Sequence, residues 1–191
     1  MAQIVLASGS PRRRELLERI GITDFTVRVP EVEESFPEGL TPPQVVSHIS
    51  REKAEAAAKL CGPEDIVITA DTMVFLDDAR LGKPRDEAHA LEMLLALQGR
   101  RHTVCTGVTV RQGERRFTES ESTDVYFRSA TEPELRNYIA TGEPMDKAGA
   151  YGVQGRGALL VERLDGDFFN VMGLPVVRLS RMLSRFGVHL L

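Results

Sequence analysis

Residues 66 to 76 read IVITADTMVFL, an apolar strand interrupted at its centre by a carboxylate and a hydroxyl, Asp71 and Thr72. Near-continuous apolar runs of this length belong to strands covered on both faces, so the chain is expected to build a sheet with Asp71 inside it. A carboxylate in that position needs a cation, a metal or strong hydrogen-bond donors. Asp77 and Asp78 then supply turn chemistry, and the chain returns through Arg80-Leu81-Gly82-Lys83-Pro84, so a hairpin is expected to bring Lys83 back toward Asp71. A structural Asp–Lys pair and a catalytic acid both fit this pattern.

The opening stretch, QIVLASGSPRRRELL, reads as strand, tight loop and helix. Ile4 to Leu6 form a short buried run, Ser10 is a good N-cap, and Pro11 suits the first helical position, where no amide donor is lost. Arginines in a first helical turn oppose the macrodipole by roughly 0.3–1 kcal/mol each, so Arg12, Arg13 and Arg14 imply an anion nearby. Helical periodicity sets Arg13 on the stripe of Leu16, Leu17 and Ile20, directing it inward. Serine hydroxyls, helix-initial amides, Arg12 and Arg13 together resemble an anion cradle.

A second helix opens at Thr41-Pro42-Pro43 and runs to about Leu60, with Val45, Ile49, Ala56 and Leu60 as its apolar stripe. Lys53 falls on that stripe, either paired with a buried anion or snorkelling from its edge. A strand is expected at Thr26 to Val29, a helix at 86–98 with Leu95 among its apolar contacts, and strands near 103–111 and 115–127. A further helix starts near Thr131, and Pro175 starts the last one. The intervening glycine-dense segment, with Gly142, Gly149, Gly152, Gly155 and Gly157, encloses Asp146, Lys147 and Gln154. Asp165-Gly166 reads as a hairpin turn between two strands.

Composition excludes several classes. A net charge of −4 argues against general nucleic-acid binding, and no apolar stretch approaches the roughly 20 residues of a membrane span. Two cysteines, Cys61 and Cys105, lack metal-ligand spacing and read as cytosolic thiols. There is no Walker A pattern, no GxGxxG after the first strand, no HExxH and no GxSxG. The acidic stretch EVEES at 31 to 35 could, with Asp71, supply hard oxygen ligands for Mg²⁺ or Mn²⁺.

The succession of SGSPRRRELL, Glu33-Glu34, REKA, ADT, GKP and DKAGAYGVQG closely resembles the Maf family of nucleotide pyrophosphatases over nearly the whole length. That resemblance implies one domain over residues 1–191 with a mixed α/β fold: an elongated central mixed sheet flanked by helices, two lobes and a cleft, similar to the inosine triphosphatase architecture. It implies metal-dependent hydrolysis of nucleoside triphosphates to monophosphate and pyrophosphate, with Mg²⁺ or Mn²⁺ as cofactor. Asp71 matches the family's proton acceptor; Ser8, Arg13, Lys53 and Lys83 match its phosphate site; Glu34 matches an acidic position near the metal; Lys147 falls in the glycine-loop motif. Arg12, Thr72 and Gln154 match the branch acting on dTTP and UTP and depart from the 7-methyl-GTP branch.

Gln154, carrying donor and acceptor, suits a pyrimidine edge. The expected setting is cytoplasmic, with a small-molecule nucleotide as partner, no nucleic-acid polymer and no membrane; a homodimer is plausible from the resemblance alone. A housekeeping role in the nucleotide pool, linked to division arrest, accompanies this reading. Two alternatives stand beside it: a non-hydrolytic nucleotide sensor that regulates division, and a pyrophosphatase for 7-methyl-GTP.

Overall fold

The computed structural model describes residues 3–191. Its strands are β1 (Ile4–Leu6), β2 (Phe25–Val27), β3 (Ile66–Leu76), β4 (Ala79–Leu81), β5 (Arg101–Gln112), β6 (Arg115–Phe127) and β7 (Val161–Asp165). The helices are α1 (Pro11–Arg19), α2 (Pro42–Ala58), α3 (Glu87–Leu97), α4 (Glu132–Ile139), α5 (Phe168–Met172) and α6 (Val176–Ser184), with 3₁₀ turns at Glu143–Asp146, Ala148–Ala150 and Arg156–Leu160. The strands form one mixed sheet in the order β2-β1-β3-β5-β6-β7, with β4 on β3. β1 runs parallel to both β2 and β3, whereas β3–β4 and β6–β7 are antiparallel. This is the mixed α/β class expected from the sequence.

The chain divides into two compact units. The first runs to Asp71 and takes in Thr106–Glu121 and Gly173–Leu191; the second comprises Thr72–Cys105 and Ser122–Met172.

In the first unit, Val5, Ala7, Ala57 and Val67 are buried together, so the interior strands read as unbroken apolar runs because they are covered on both faces. α1 begins at Pro11 as expected, but Ser10 caps it by position only, its hydroxyl making no capping bond. No acidic residue occupies that first turn, where its arginines oppose the helix dipole. α2 opens with Gln44 reaching back to the Thr41 amide at 2.9 Å. Its buried face carries Val45, Val46, Ile49, Ser50, Ala54 and Ala57, so Ala56 and Leu60 are not core residues as the expected stripe had them; Leu60 lies beyond the helix end and is 46% exposed. Lys53 therefore borders the apolar face.

A chain of hydroxyls crosses the same unit. Thr69 donates to the Ser50 carbonyl at 2.6 Å, Ser50 meets Thr109 at 3.0 Å, and Thr109 meets Thr118 at 2.9 Å. Buried hydroxyls cost little once partnered, and their directionality fixes the register of α2 against the strands.

In the second unit, β3 turns back through Asp77 and Asp78 with Leu76 opposite Ala79, and Asp77 adopts a left-handed φ of 51°, a conformation that short polar side chains tolerate. The core gathers Val74, Leu76, Leu91, Leu94, Leu97, Val104, Val125, Phe127, Leu135, Ile139 and Tyr151. α3 is capped by Asp86, which accepts from the His89 amide at 2.7 Å. Leu95 points outward, 40% exposed, contrary to expectation.

Two strand expectations are corrected. β2 occupies Phe25–Val27 rather than reaching Val29, because its pairing with β1 ends opposite Leu6. The Asp165-Gly166 pair does not join two strands: β7 ends at Asp165, and Asp167 accepts from the Phe169 amide at 2.7 Å to open α5. Gly166 is required there by a φ of +131° and by Thr123, whose Oγ1 lies 2.9 Å from where a Cβ would stand.

Gly107 in β5 is where α2 comes closest to the sheet. A Cβ at this position would lie 2.7 Å from the Ser47 nitrogen and closer still to the Val46 carbonyl, all backbone atoms that cannot turn aside. Gly107→Ala is accordingly expected to destabilise the fold by about 3 kcal/mol or more, read as a fall in the urea midpoint at unchanged m-value.

Candidate functional site

Five of the residues singled out in the sequence converge within the first unit. Asp71 is the last residue of that unit on β3, and its side chain is 7% exposed. Lys53, one turn before the end of the buried part of α2, reaches it with Nζ 2.8 Å from Oδ1 and also lies 2.6 Å from Oε1 of Glu34. One ammonium thus bridges two carboxylates, one buried and one half exposed. Among the described residues the second oxygen of Asp71, Oδ2, is buried without a hydrogen-bond partner. The sequence presents Lys53 as either paired or snorkelling, and the geometry is a pair.

Arg13 projects from the first turn of α1. Its Nε donates to the Gly173 carbonyl at 2.8 Å and its Nη1 donates to Ser8 Oγ at 3.1 Å. Ser8 Oγ in turn accepts from the Ser10 amide at 3.3 Å. Desolvation holds the Arg13 pKa below its usual value, against the pull of Asp71; the neighbouring Arg12 charge lowers it further, and Glu34 opposes. The guanidinium is thus a desolvated cation that feels both carboxylates, an arrangement favouring a second negative group beside it. Arg12 is half-buried on the same turn.

Thr72, Lys83, Lys147 and Gln154 belong to the second unit. Thr72 follows Asp71 directly on β3. Lys83 is exposed two residues beyond β4, and continuing the Val74–Leu81 register would set position 83 level with position 72. The adjacent Gly82 carbonyl accepts from the Gly149 amide at 3.0 Å, which ties the segment carrying Lys83 to the glycine-dense segment carrying Lys147. Gly149 and Ala150 both take left-handed φ values, 71° and 58°, and a Gly149 Cβ would stand 3.0 Å from Val74. Lys147 donates from Nζ to the Glu143 carbonyl at 2.7 Å and to Asp146 at 2.6 Å. Gln154 is exposed on a bend.

Residues 3–186 match the family described as Maf-like protein. The chain belongs to the Maf family. A Maf relative from Exiguobacterium sibiricum, named dTTP/UTP pyrophosphatase, is 49% identical over 186 residues, spanning 97% of this chain and 93% of that protein. A relative of the same name from Pelotomaculum thermopropionicum is 48% identical over 193 residues, with full coverage of both chains. Among solved structures, a HAM1 protein from Coxiella burnetii superposes with a TM-score of 0.50 at 13% identity, covering 97% of this chain and all of its own, which bears on the fold alone.

Two features of this Maf chain escaped the sequence reading. The Gly173 carbonyl that orients Arg13 is a main-chain group with no residue signature. The other is an aromatic cluster in the second unit: His102 Nε2 lies 2.7 Å from the Tyr151 hydroxyl, and the His102 ring meets Phe127 and Tyr151 edge-on at 4.9 and 5.3 Å. Tyr151 sits inside the YGVQG motif, so this cluster anchors the start of the segment that carries Gln154.

Burial pushes the His102 pKa down from 6.5 to about 4, with Asp124 opposing. The unfolded chain therefore takes up a proton on this ring before the folded one does. Stability that is complete above pH 6.5 is lost as pH falls toward about 4, by roughly 3 kcal/mol in total from this group. Urea titrations from pH 7 to 4 are expected to show this acid-side loss, and His102→Gln is expected to flatten it.

Proposed function

We propose that this protein hydrolyses dTTP and UTP to the nucleoside monophosphate and pyrophosphate. The observation that carries the proposal is the convergence of Arg13, Lys53 and Ser8 with Asp71 and Glu34 in one unit, in a chain whose curated relatives carry the name dTTP/UTP pyrophosphatase. A structural Asp–Lys pair alone would need neither a second carboxylate on the same ammonium nor a desolvated guanidinium beside it.

In this reading Ser8, Arg13 and Lys53 receive phosphate oxygens through donors that are already held in place. Lys83 matches the family's phosphate-site motif, and Lys147 falls in its glycine-loop motif. Asp71 orients a water and takes its proton as the water oxygen bonds to the α-phosphorus; the bridging α–β bond breaks and pyrophosphate leaves. Gln154 reads the base, its side-chain amide offering a donor and an acceptor to a pyrimidine edge, and Arg12 and Thr72 match the same dTTP and UTP branch.

The acidic pair also fits a divalent cation. Glu34 and Asp71 are hard oxygen donors that already share one positive charge, and Asp71 Oδ2 is buried with its acceptor capacity unused. Among the described residues no group of three or more His, Cys, Asp or Glu forms a complete cage. Mg²⁺ is commonly held by one or two carboxylates and completed by substrate phosphates and water, and Mn²⁺ shares its preference for hard oxygen ligands. When bound, such an ion would neutralise charge on the phosphate chain.

A cytoplasmic setting and a homodimer belong to the same proposal. Cys61 and Cys105 are free thiols, and among the described residues no helix is long and apolar enough to cross a membrane.

A metal-supplemented panel of dTTP, UTP, CTP, GTP and 7-methyl-GTP, scored for pyrophosphate, tests the reading. Turnover is expected with dTTP and UTP; orthophosphate as first product, or preference for 7-methyl-GTP, overturns it. Asp71→Asn is expected to lower kcat by about 10²–10⁴-fold with dTTP still bound, whereas a nucleotide sensor would show no turnover to lose.

A further inference from the structure

The three glycines nearest Gln154 are glycines for a reason that lies outside their own backbone torsions. A Cβ on Gly155 would lie 2.6 Å from the Glu143 carboxyl carbon, one on Gly157 would lie 2.6 Å from the Tyr138 hydroxyl, and one on Gly152 would lie 2.7 Å from Lys147 Cε. Side chains already occupy the space that substituents at Gly152 and Gly155 would take, and at Gly157 the Gly152 carbonyl oxygen, 2.5 Å from such a Cβ, closes it as well. The Glu143 carboxylate is the centre of the cluster. Oε2 accepts from the Arg156 amide at 2.8 Å, and Oε1 accepts from the Gly157 amide at 3.0 Å and from the Tyr138 hydroxyl at 2.8 Å. The Tyr138 oxygen accepts from the Gly152 amide at 3.1 Å. One carboxylate, directly and through one phenol, therefore holds the backbone on both sides of Gln154.

The same residue has a separable second contact. It is the main-chain carbonyl of Glu143, not its carboxylate, that accepts from Lys147 Nζ. Side-chain replacement at 143 can thus release the Gly152–Gly157 bend while leaving the Lys147 acceptor in place. Although partial burial opposes it, donation from Gly157, Arg156 and Tyr138, with the Lys147 charge, holds the Glu143 pKa below the usual carboxylate value, so the carboxylate is in its accepting form at neutral pH.

We propose that Glu143, seconded by Tyr138, is a positioning residue for nucleobase selectivity, clamping the bend between Gly152 and Gly157 so that Gln154 is presented in one orientation. The proposal rests on the assignment of base reading to Gln154 made above. Glu143 touches no substrate in this account; it acts through Gln154. An exposed amide on an unrestrained bend would sample several orientations and discriminate poorly, because selectivity against a wrong base requires donors and acceptors that cannot rotate to satisfy it.

The test compares four proteins with the wild type: Glu143→Gln, which keeps shape but offers an amide nitrogen where one acceptor was; Tyr138→Phe, which removes the acceptor of the Gly152 amide and one donor to Glu143 but leaves the Arg156 and Gly157 amides on the carboxylate; Gln154→Ala; and the Glu143→Gln/Gln154→Ala double variant. Each is assayed for kcat and KM with dTTP, UTP, CTP and GTP, and for hydrogen exchange at the amides of Gly152, Arg156 and Gly157.

For Glu143→Gln we expect faster exchange at the three amides, kcat within about threefold for dTTP, KM for dTTP and UTP raised about tenfold, and a similar fall in the ratio of kcat/KM for dTTP over CTP and GTP. Tyr138→Phe is expected to lie between this variant and the wild type. The double variant is expected to match Gln154→Ala in selectivity, since a residue acting only through Gln154 has nothing left to position. Unchanged selectivity in Glu143→Gln despite faster exchange, or additive losses in the double variant, overturns the proposal. Unchanged exchange overturns the clamp itself. Failure of the underlying assignment has its own signature: Gln154→Ala alone keeps the pyrimidine preference, which removes the selectivity role whatever the exchange data give.

Discussion

Placing a carboxylate in the middle of a sheet strand costs several kcal/mol of solvation unless a cation reaches it, and in this chain the cation comes from a helix rather than from the neighbouring strand. Lys53 has to lie at the border of the buried face of α2 for its stem to pass along apolar surface while its ammonium meets Asp71 at 2.8 Å. That requirement in turn fixes how α2 lies on the sheet, which is why Gly107 has no room for a side chain and why Ser50, Thr69 and Thr109 are buried as a connected set. The charges that keep Asp71 in the sheet are the ones to which the proposed chemistry is assigned. Glu34, half exposed on the other side of the ammonium, gives that one cation a second anionic partner.

The second unit solves a different problem. It carries a long irregular segment with many main-chain amides that no sheet or helix satisfies. Glu143 and Tyr138 satisfy three of them, Gly82 accepts from a fourth, and the His102–Tyr151 contact seats the segment in the aromatic part of the core. Irregular backbone is kept rigid here by polar side chains rather than by repetitive hydrogen bonding.

Much of this was legible in the residue pattern because it depended on local rules. Pro11 at a helix start, three arginines in a first turn and the apolar run broken at Asp71 each carry a physical anomaly visible without coordinates. Lys53 could be narrowed to two readings, and only the position of Asp71 in space chose between them. Asp165-Gly166 misled because Gly followed by Asp167-Phe168-Phe169 resembles a second strand, whereas the Asp167 carboxylate caps a short helix. Leu60 and Leu95 look like core residues from spacing, yet Leu60 lies past the end of α2 and Leu95 takes the outer face of α3 between the buried Leu94 and Leu97. Glu143 gave no signal, since Glu before Pro at the start of a turn reads as an ordinary solvated acid; its role depends on amides thirteen and fourteen residues later.

The partition of the chain has a consequence for its synthesis. The second unit is drawn from residues 72 to 172 with one excursion, while the first needs the opening stretch, Thr106–Glu121 and the segment from Gly173 onward. On a ribosome Arg13 is made 160 residues before the carbonyl that orients it. Until Gly173 has been made, a nascent chain holds its acidic and basic groups without the main-chain contact that orients Arg13.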